Sequence, residues 1–105
     1  MKPYVLRPQA RDDRRSEVRY YRKEAGARVA LRLVDALAEA LEQISRNPGV
    51  GSPTIGQELS ITVLRTWRVR GFPLTFWYFE REVRVDLARL VGQRQDALAM
   101  EVGEP

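Results

Sequence analysis

Any chemistry of this chain must rest on arginine, lysine, tyrosine, aspartate or glutamate, and arginine is the most abundant of these. Sixteen of its eighteen basic residues are arginine, and it contains no cysteine and no histidine. Without cysteine it can form no disulfide, zinc finger or thiol nucleophile. Without histidine it lacks the commonest general base and the Ser-His-Asp triad. The guanidinium group instead binds carboxylates or phosphates through paired hydrogen bonds. The composition therefore disfavours an enzyme and predicts no metal site, no catalytic residue and no cofactor.

The basic residues fall into two blocks on either side of an acidic one, and the net charge is +4 at pH 7. The net charge of residues 7–32 is +5, because this stretch contains nine basic and four acidic residues. The net charge is −3 over residues 33–64 and +4 over residues 65–94. Such blocks attract an acidic partner, either a nucleic acid or an acidic protein segment. For the first block, a solvated helix face is the alternative explanation.

Two helices are expected to position the first basic block. Residues 9–25 contain no glycine or proline, and Gly26 ends the segment. On this helix Arg11, Arg15 and Arg19 recur at every fourth position and share one exposed face. The second helix ends at Asn47-Pro48-Gly49. Its apolar stripe consists of Ala30, Leu33, Leu37, Leu41 and Ile44. Because the two helices meet at one glycine, we expect an antiparallel helical hairpin.

Strands flank this hairpin in the sequence. Tyr4, Val5 and Leu6 form a short apolar run, and a glycine- and proline-rich loop over residues 49–60 precedes three β-like runs at 61–69, 74–79 and 83–89. The short turns between these runs predict an antiparallel meander. The first strand should pair beside the last or the central one. The order strand, helix, helix, strand, strand, strand predicts an α+β fold of two layers, forming a single domain over residues 1–105.

Aromatic residues crowd the central run. Alternation along a strand directs Phe76 and Tyr78 to one face of the sheet and Trp77 and Phe79 to the other. A chain of this length is expected to bury one core. In a two-layer domain one aromatic set should therefore be partly exposed or covered by a partner.

A series of short motifs runs through nearly the whole chain in a characteristic order. It includes Pro8, Asp13, Tyr20-Tyr21, Glu24-Ala25-Gly26 and Asn47-Pro48-Gly49-Val50-Gly51-Ser52-Pro53. It is most specific in Leu64-Arg65-Thr66-Trp67, Val69-Arg70-Gly71-Phe72-Pro73 and Phe76-Trp77-Tyr78. Each piece occurs elsewhere by chance. Together, at these separations, they resemble the ParE toxins of the RelE/ParE superfamily.

The resemblance implies the toxin of a bacterial type II toxin–antitoxin module, of the kind associated with plasmid stabilisation. ParE toxins share the RelE fold, inhibit DNA gyrase by poisoning it, and are neutralised by a ParD antitoxin whose partly helical C-terminal segment wraps around the toxin. The expected partners are therefore a ParD-like antitoxin and DNA gyrase, with assembly into a toxin–antitoxin hetero-oligomer and with direct nucleic-acid binding left open. No run approaches the ~18 apolar residues of a membrane span, and no apolar signal segment is visible, so no membrane contact and a cytoplasmic location are expected.

The predicted sheet and helix faces supply candidate residues for these partners. Candidates for gyrase are the arginines on or near the sheet, Arg65, Arg68, Arg70, Arg89 and Arg94. Candidates for the antitoxin are Arg11, Arg15, Arg19, Tyr20, Tyr21, Trp77 and Phe79. Neighbouring tyrosines on a helix point about 100° apart, so one is expected in the core and one at a partner. A strand arginine between apolar neighbours should either project outwards or pair with a buried carboxylate.

Two alternatives remain at this point. A RelE-like ribosome-dependent mRNA endoribonuclease needs a base, an acid and cations for the phosphate. Arg65 matches the sheet arginine of those nucleases, but the chain has no histidine and no tyrosine beyond Tyr78. The family commonly carries His-Gly-Arg-Arg-Asp where this chain reads Gly92-Gln93-Arg94-Gln95-Asp96, and often a leucine where it has Arg14. The second alternative is therefore a decayed, non-toxic homologue that still binds an antitoxin.

Overall fold

A helical hairpin packs on one face of a mixed sheet, in the element order that the sequence predicts. The computed structural model describes residues 1–93 and 100–105. Its strands are β1 (Tyr4–Leu6), β2 (Leu64–Arg68), β3 (Leu74–Glu80) and β4 (Val85–Gly92). Its helices are α1 (Pro8–Ala25), α2 (Ala27–Arg46) and the short α3 (Thr54–Glu58). The predicted α+β class is confirmed. The loop predicted over residues 49–60 is wrong in part, because it contains α3 and a 3₁₀ turn at Pro48–Val50.

Gly26 joins α1 to α2. Its φ of 95° lies in the left-handed region that side chains with a Cβ rarely adopt. Its N–H donates to the Arg22 carbonyl at 3.1 Å, which ends α1, and its own carbonyl accepts from the Ala30 N–H at 3.1 Å, which begins α2. A single residue thus turns the chain back, as the break at Gly26 predicts.

The sheet has the strand order β1-β4-β3-β2. Strands β2, β3 and β4 form the predicted antiparallel meander, and β1 pairs in parallel with β4, one of its two expected neighbours. The register of β3 against β4 shifts between Trp77 and Tyr78. Beyond this bulge Leu90 packs into the main core with Val85 and Leu87, so strict alternation along β4 ends there.

The main core lies between the sheet and the hairpin. Leu33, Leu37, Leu41 and Ile44 of α2 are no more than 2% exposed, as their spacing predicts. They pack on the helix-facing side of β3 and β4, which contributes Leu74, Phe76, Tyr78, Val85, Leu87 and Leu90. Burial of each large apolar side chain contributes about 1.5–3 kcal/mol. This contact fixes the hairpin on the sheet.

The opposite face of the sheet is covered as well, so the expectation of an exposed aromatic set is wrong. Trp77 is 2% exposed and Phe79 is fully buried. A second apolar cluster surrounds them, formed by Leu64, Ala88, Val91 and Val102 and closed by Ile55, Leu59, Ile61 and Met100. This face is covered by α3, by the loop after it and by residues 100–105, which we call the C-terminal segment. These pieces are too short to show a helical or strand period, which is why the sequence predicts one core only.

Candidate functional site

A groove of about 410 Å³ opens between α1 and α2. Residues 11–18 of α1 form one wall and residues 34–41 of α2 the other, which is the pairing that an antiparallel hairpin produces. Its lining consists of Tyr4, Arg11, Arg14, Arg15, Val18, Val34, Leu37, Ala38 and Leu41. We refer to this surface as the hairpin groove.

The hairpin groove combines exposed apolar side chains with a basic wall. Tyr4 is 42% exposed and Val34 is 46% exposed, and Leu31, one turn before Val34 on α2, is 67% exposed. Arg15 lies 3.4 Å from Asp12, but both side chains are mostly in solvent, so this ion pair contributes little. An amphipathic segment with acidic residues beside apolar ones matches both features.

The groove brings together Arg11 and Arg15, two of the three helix arginines that the sequence predicts for a partner. Arg19 is exposed but lies outside the groove lining. Arg14 lines the groove and was not predicted. The signal was present in the sequence, because Arg14 stands three residues after Arg11 and four before Val18, which places all three on neighbouring positions of one helix surface.

The tyrosine pair lies near the β2–β3 turn. Tyr21 packs against the main core and meets Phe72 edge to face, with ring centroids 5.2 Å apart. Tyr20 is 40% exposed and makes an edge contact with Tyr21 at 5.4 Å. The predicted division into one core and one surface tyrosine is confirmed. The role of either in binding an antitoxin stays a prediction.

Arg65 is held by the loop beside β2. Its Nη1 donates to the Gly51 carbonyl at 2.8 Å and lies 3.4 Å from the Gly49 carbonyl. The same loop covers the outer edge of β2, since Ser52 and Thr66 exchange backbone hydrogen bonds of 2.8 and 3.0 Å. Neither of the two arrangements expected from the sequence occurs, because backbone carbonyls take the place of a carboxylate.

Arg89 forms an internal ion pair. Its Nε donates to Asp13 at 2.7 Å and its Nη1 donates to the Glu101 carbonyl at 2.8 Å, with 12% of the side chain exposed. Arg7, which the sequence does not single out, repeats the arrangement: it donates to Asp86 at 2.7 Å and to the Val102 carbonyl at 3.0 Å. The two arginines fasten the C-terminal segment over the second apolar cluster, above Trp77 and Phe79. Arg89, Trp77 and Phe79 were predicted to bind a partner, but a partner can reach them only by displacing these contacts within the chain.

Two of the predicted sheet arginines remain accessible. The Arg70 side chain is 82% exposed, with Glu39 at 3.8 Å. Arg68 is exposed and lines a second cavity on the face opposite the hairpin. Arg94 lies outside the described residues.

The pKa values of two buried groups on the sheet, the Tyr78 hydroxyl and the Asp86 carboxyl, are shifted from their usual values. Burial raises the pKa of Tyr78 above its usual value, while its hydroxyl accepts from the Gly51 N–H at 3.0 Å and donates to the Pro48 carbonyl at 2.6 Å. Burial also pushes the pKa of Asp86 upwards, but hydrogen bonds and charges from Arg7 and Arg81 outweigh it, so this pKa lies below its usual value. Tyr78 therefore stays neutral and Asp86 ionised at neutral pH.

Within residues 1–93 and 100–105, no group of three or more histidine, cysteine, aspartate or glutamate side chains is placed to bind a metal ion. None of the helices in this part of the chain is long and apolar enough to cross a bilayer.

The fold and the motifs have known counterparts. The model of the family described as the ParE toxin of the type II toxin–antitoxin system parDE matches residues 4–97. A solved structure titled "Chromosomal ParDE TA system from P. aeruginosa" is similar with a TM-score of 0.73 and 18% identity, over 88% of this chain and 96% of that chain. No curated protein sequence matches. The family match includes the hairpin groove and all four strands, and the chain belongs to the ParE toxin family of type II toxin–antitoxin systems.

Proposed function

We propose that this protein is a toxin that poisons DNA gyrase and is held inactive by a ParD-like antitoxin. The family match over residues 4–97 carries the proposal. The similar structure is titled as a ParDE system, which supports an antitoxin of the ParD type as the partner.

The hairpin groove is the surface best suited to the antitoxin. Arg11 and Arg15 are exposed and Arg14 is half-buried beside exposed apolar side chains, so an acidic amphipathic segment can bury its apolar side while its carboxylates meet the guanidinium groups. Arg14 adds a third cation where related toxins often carry leucine, so we expect the cognate antitoxin to place an extra carboxylate there.

The ribonuclease alternative receives no support from the sheet. Cleavage by the 2′-hydroxyl needs a general base and a general acid within reach of the phosphate. Tyr78 is the last tyrosine of the chain, and its buried hydroxyl is already bonded to Gly51 and Pro48. Burial raises the pKa of Tyr78, so its hydroxyl stays protonated at neutral pH and is not available as the general base. We therefore assign no catalytic residue.

Gyrase poisoning is tested by expressing the chain alone and by a supercoiling assay with purified gyrase. We expect growth arrest with an SOS response in cells and loss of supercoiling with accumulation of cleaved DNA in vitro. Growth arrest with rapid mRNA loss on ribosomes and intact DNA would establish the ribonuclease instead. No arrest and no gyrase effect, with antitoxin binding retained, would identify a decayed toxin.

The antitoxin surface is tested by Val34→Asp, which places a carboxylate in the middle of the hairpin groove. Val34 is 46% exposed, so the fold should tolerate the change while affinity for the cognate ParD-like antitoxin falls by at least ~100-fold. Val83→Asp is the matched control, since Val83 is 70% exposed and lies outside the groove. Equal affinities of the two variants in calorimetry would remove the groove from the interface.

A further inference from the structure

A second cavity, of about 260 Å³, lies on the face of the sheet opposite the hairpin. Strand pairing brings the polar residues of this cavity together. Thr66 and Arg68 lie two positions apart on β2, and Thr75 of β3 is paired directly with Arg68. Alternation directs these three side chains to one face, and directly paired residues hold their Cβ atoms about 4.5–5.5 Å apart. Gln93, just after β4, also lines the cavity. We refer to it as the sheet-face pocket.

The polar side chains of this pocket have no partner within the described part of the chain. Neither the Arg68 guanidinium nor the hydroxyls of Thr66 and Thr75 form a side-chain hydrogen bond or ion pair there. Thr66 as a whole is only 8% exposed. Among the described residues, every fully buried polar side-chain atom has a hydrogen-bond partner. Because the Thr66 hydroxyl has none, it must be in contact with the solvent of the pocket. No described carboxylate lines the pocket. The donors and the positive charge therefore meet no competing acceptor.

The preference for an anion comes from Arg68 and the two threonine hydroxyls, because the rest of the lining is mainly apolar. Ile55, Trp77 and Val91 form an apolar base beneath the polar groups. A base of low polarity strengthens charge-assisted hydrogen bonds to the groups above it. Guanidinium and hydroxyl donors that converge in this way suit a tetrahedral oxyanion. The volume, against the ~30 Å³ share of one liquid water, accommodates a phosphate group with its solvent.

We infer that the sheet-face pocket binds a phosphodiester of a nucleic-acid backbone through Arg68, Thr66 and Thr75. The inference deepens the proposed function and rests on it, because gyrase acts on bound DNA and so presents this ligand beside the toxin. The charge of +4 over residues 65–94 supplies long-range attraction. The pocket positions one phosphate and reads no base, so binding is independent of sequence.

The test is fluorescence anisotropy with a labelled DNA duplex of about 20 base pairs and the isolated chain at low salt. We expect Arg68→Gln to weaken binding roughly tenfold and to reduce the slope of log K against log salt by about 1. Thr75→Val keeps the shape and the charge, so it should weaken binding about threefold and leave that slope unchanged. Thermal melting of each variant verifies that it is folded.

Arg32→Gln is the matched control, because it removes the same charge from an exposed position on α2, away from the pocket. It should change affinity less than about twofold. Equal losses for Arg32→Gln and Arg68→Gln, with Thr75→Val unchanged, would show diffuse attraction only and would overturn the inference. An RNA of the same length identifies the source of the phosphodiester: if it competes better than DNA, the ligand is RNA and not the gyrase-bound duplex.

The supercoiling assay separates this inference from the proposed function. If the parent chain inhibits gyrase but binds neither DNA nor RNA, the pocket inference fails and the function stands. If, in that case, Arg68→Gln also loses inhibition, the pocket holds a gyrase carboxylate instead. If the chain binds DNA through Arg68 but does not affect gyrase, the pocket stands and the proposed function fails.

Discussion

Among single residues, Gly51 lies where the loop beside β2 packs directly against the sheet. A Cβ at this residue would clash with the Tyr78 hydroxyl and lie 2.9 Å from the Thr66 carbonyl. Neither neighbour can yield, because the hydroxyl is bonded to Pro48 and Gly51 and the carbonyl belongs to β2. Gly51→Ala should therefore destabilise the fold by about 1–3 kcal/mol in denaturant unfolding. Gly49→Ala is the control: its Cβ would meet an ordinary contact at 3.6 Å and should cost less than ~0.5 kcal/mol.

Asp86 makes a second residue-scale prediction, which concerns pH. Arg7 and Arg81 hold its pKa below the usual value in spite of burial. The folded state therefore binds a proton at Asp86 less readily than the unfolded state, whose pKa is about 3.9. The resulting stability is present above about pH 4 and is lost as the pH falls through the folded-state pKa.

Asp86→Asn should consequently be less stable than the parent at pH 7, by roughly 1–3 kcal/mol, with a difference that shrinks below about pH 4. Urea unfolding of both proteins between neutral and acid pH measures this difference. Asp12→Asn, at a carboxylate that is 72% exposed, is the control and should stay close to the parent at each pH. A parent-to-Asp86→Asn difference that grows on acidification would contradict the assignment.

At the scale of elements, the C-terminal segment acts as part of the second apolar cluster. Val102 is 8% exposed and packs with Trp77 and Phe79, while Arg7 and Arg89 bind the carbonyls on this segment. Val102→Ala should reduce the free energy of unfolding by about 1–2 kcal/mol, since it removes two buried methyl groups' worth of contact. Val83→Ala makes the same chemical change at a residue that is 70% exposed and should stay within ~0.5 kcal/mol of the parent. Equal effects would show that the segment does not cover the sheet.

At the scale of the whole molecule, the uneven charge should steer an acidic antitoxin towards the hairpin groove. Reversing Arg11 and Arg15 together to glutamate lowers the net charge from +4 to 0, because each reversal removes two units. Reversing Arg28 and Arg32 has the same effect on net charge but lies outside the groove lining. We expect the groove pair to slow association with the antitoxin at least ~10-fold and to weaken its salt dependence, with a smaller effect for the control pair. Stopped-flow association rates at low salt distinguish local from net charge. Equal rates for the two pairs would leave the groove without a steering role.

Features that depend on local chemistry can be predicted from the amino-acid sequence. The 3–4 residue spacing from Ala30 to Ile44 predicts α2, Gly26 predicts the hairpin, and alternation places Phe76 with Tyr78 and Trp77 with Phe79. Motif order alone was sufficient to predict the family. Spacing on α1 also predicts Arg11 and Arg15 on one surface, where the groove now contains them.

Which of these side chains are accessible depends instead on long-range packing. Arg65 and Arg89 look alike in the sequence as strand arginines, but one binds loop carbonyls and the other binds Asp13, 76 residues away in the chain. Trp77 and Phe79 are buried because α3 and the C-terminal segment cover them. The contacts among these residues join distant parts of the chain, and neither periodicity nor composition records such contacts. The physical reason is that local pattern fixes the face on which a residue lies, whereas long-range packing fixes what covers that face.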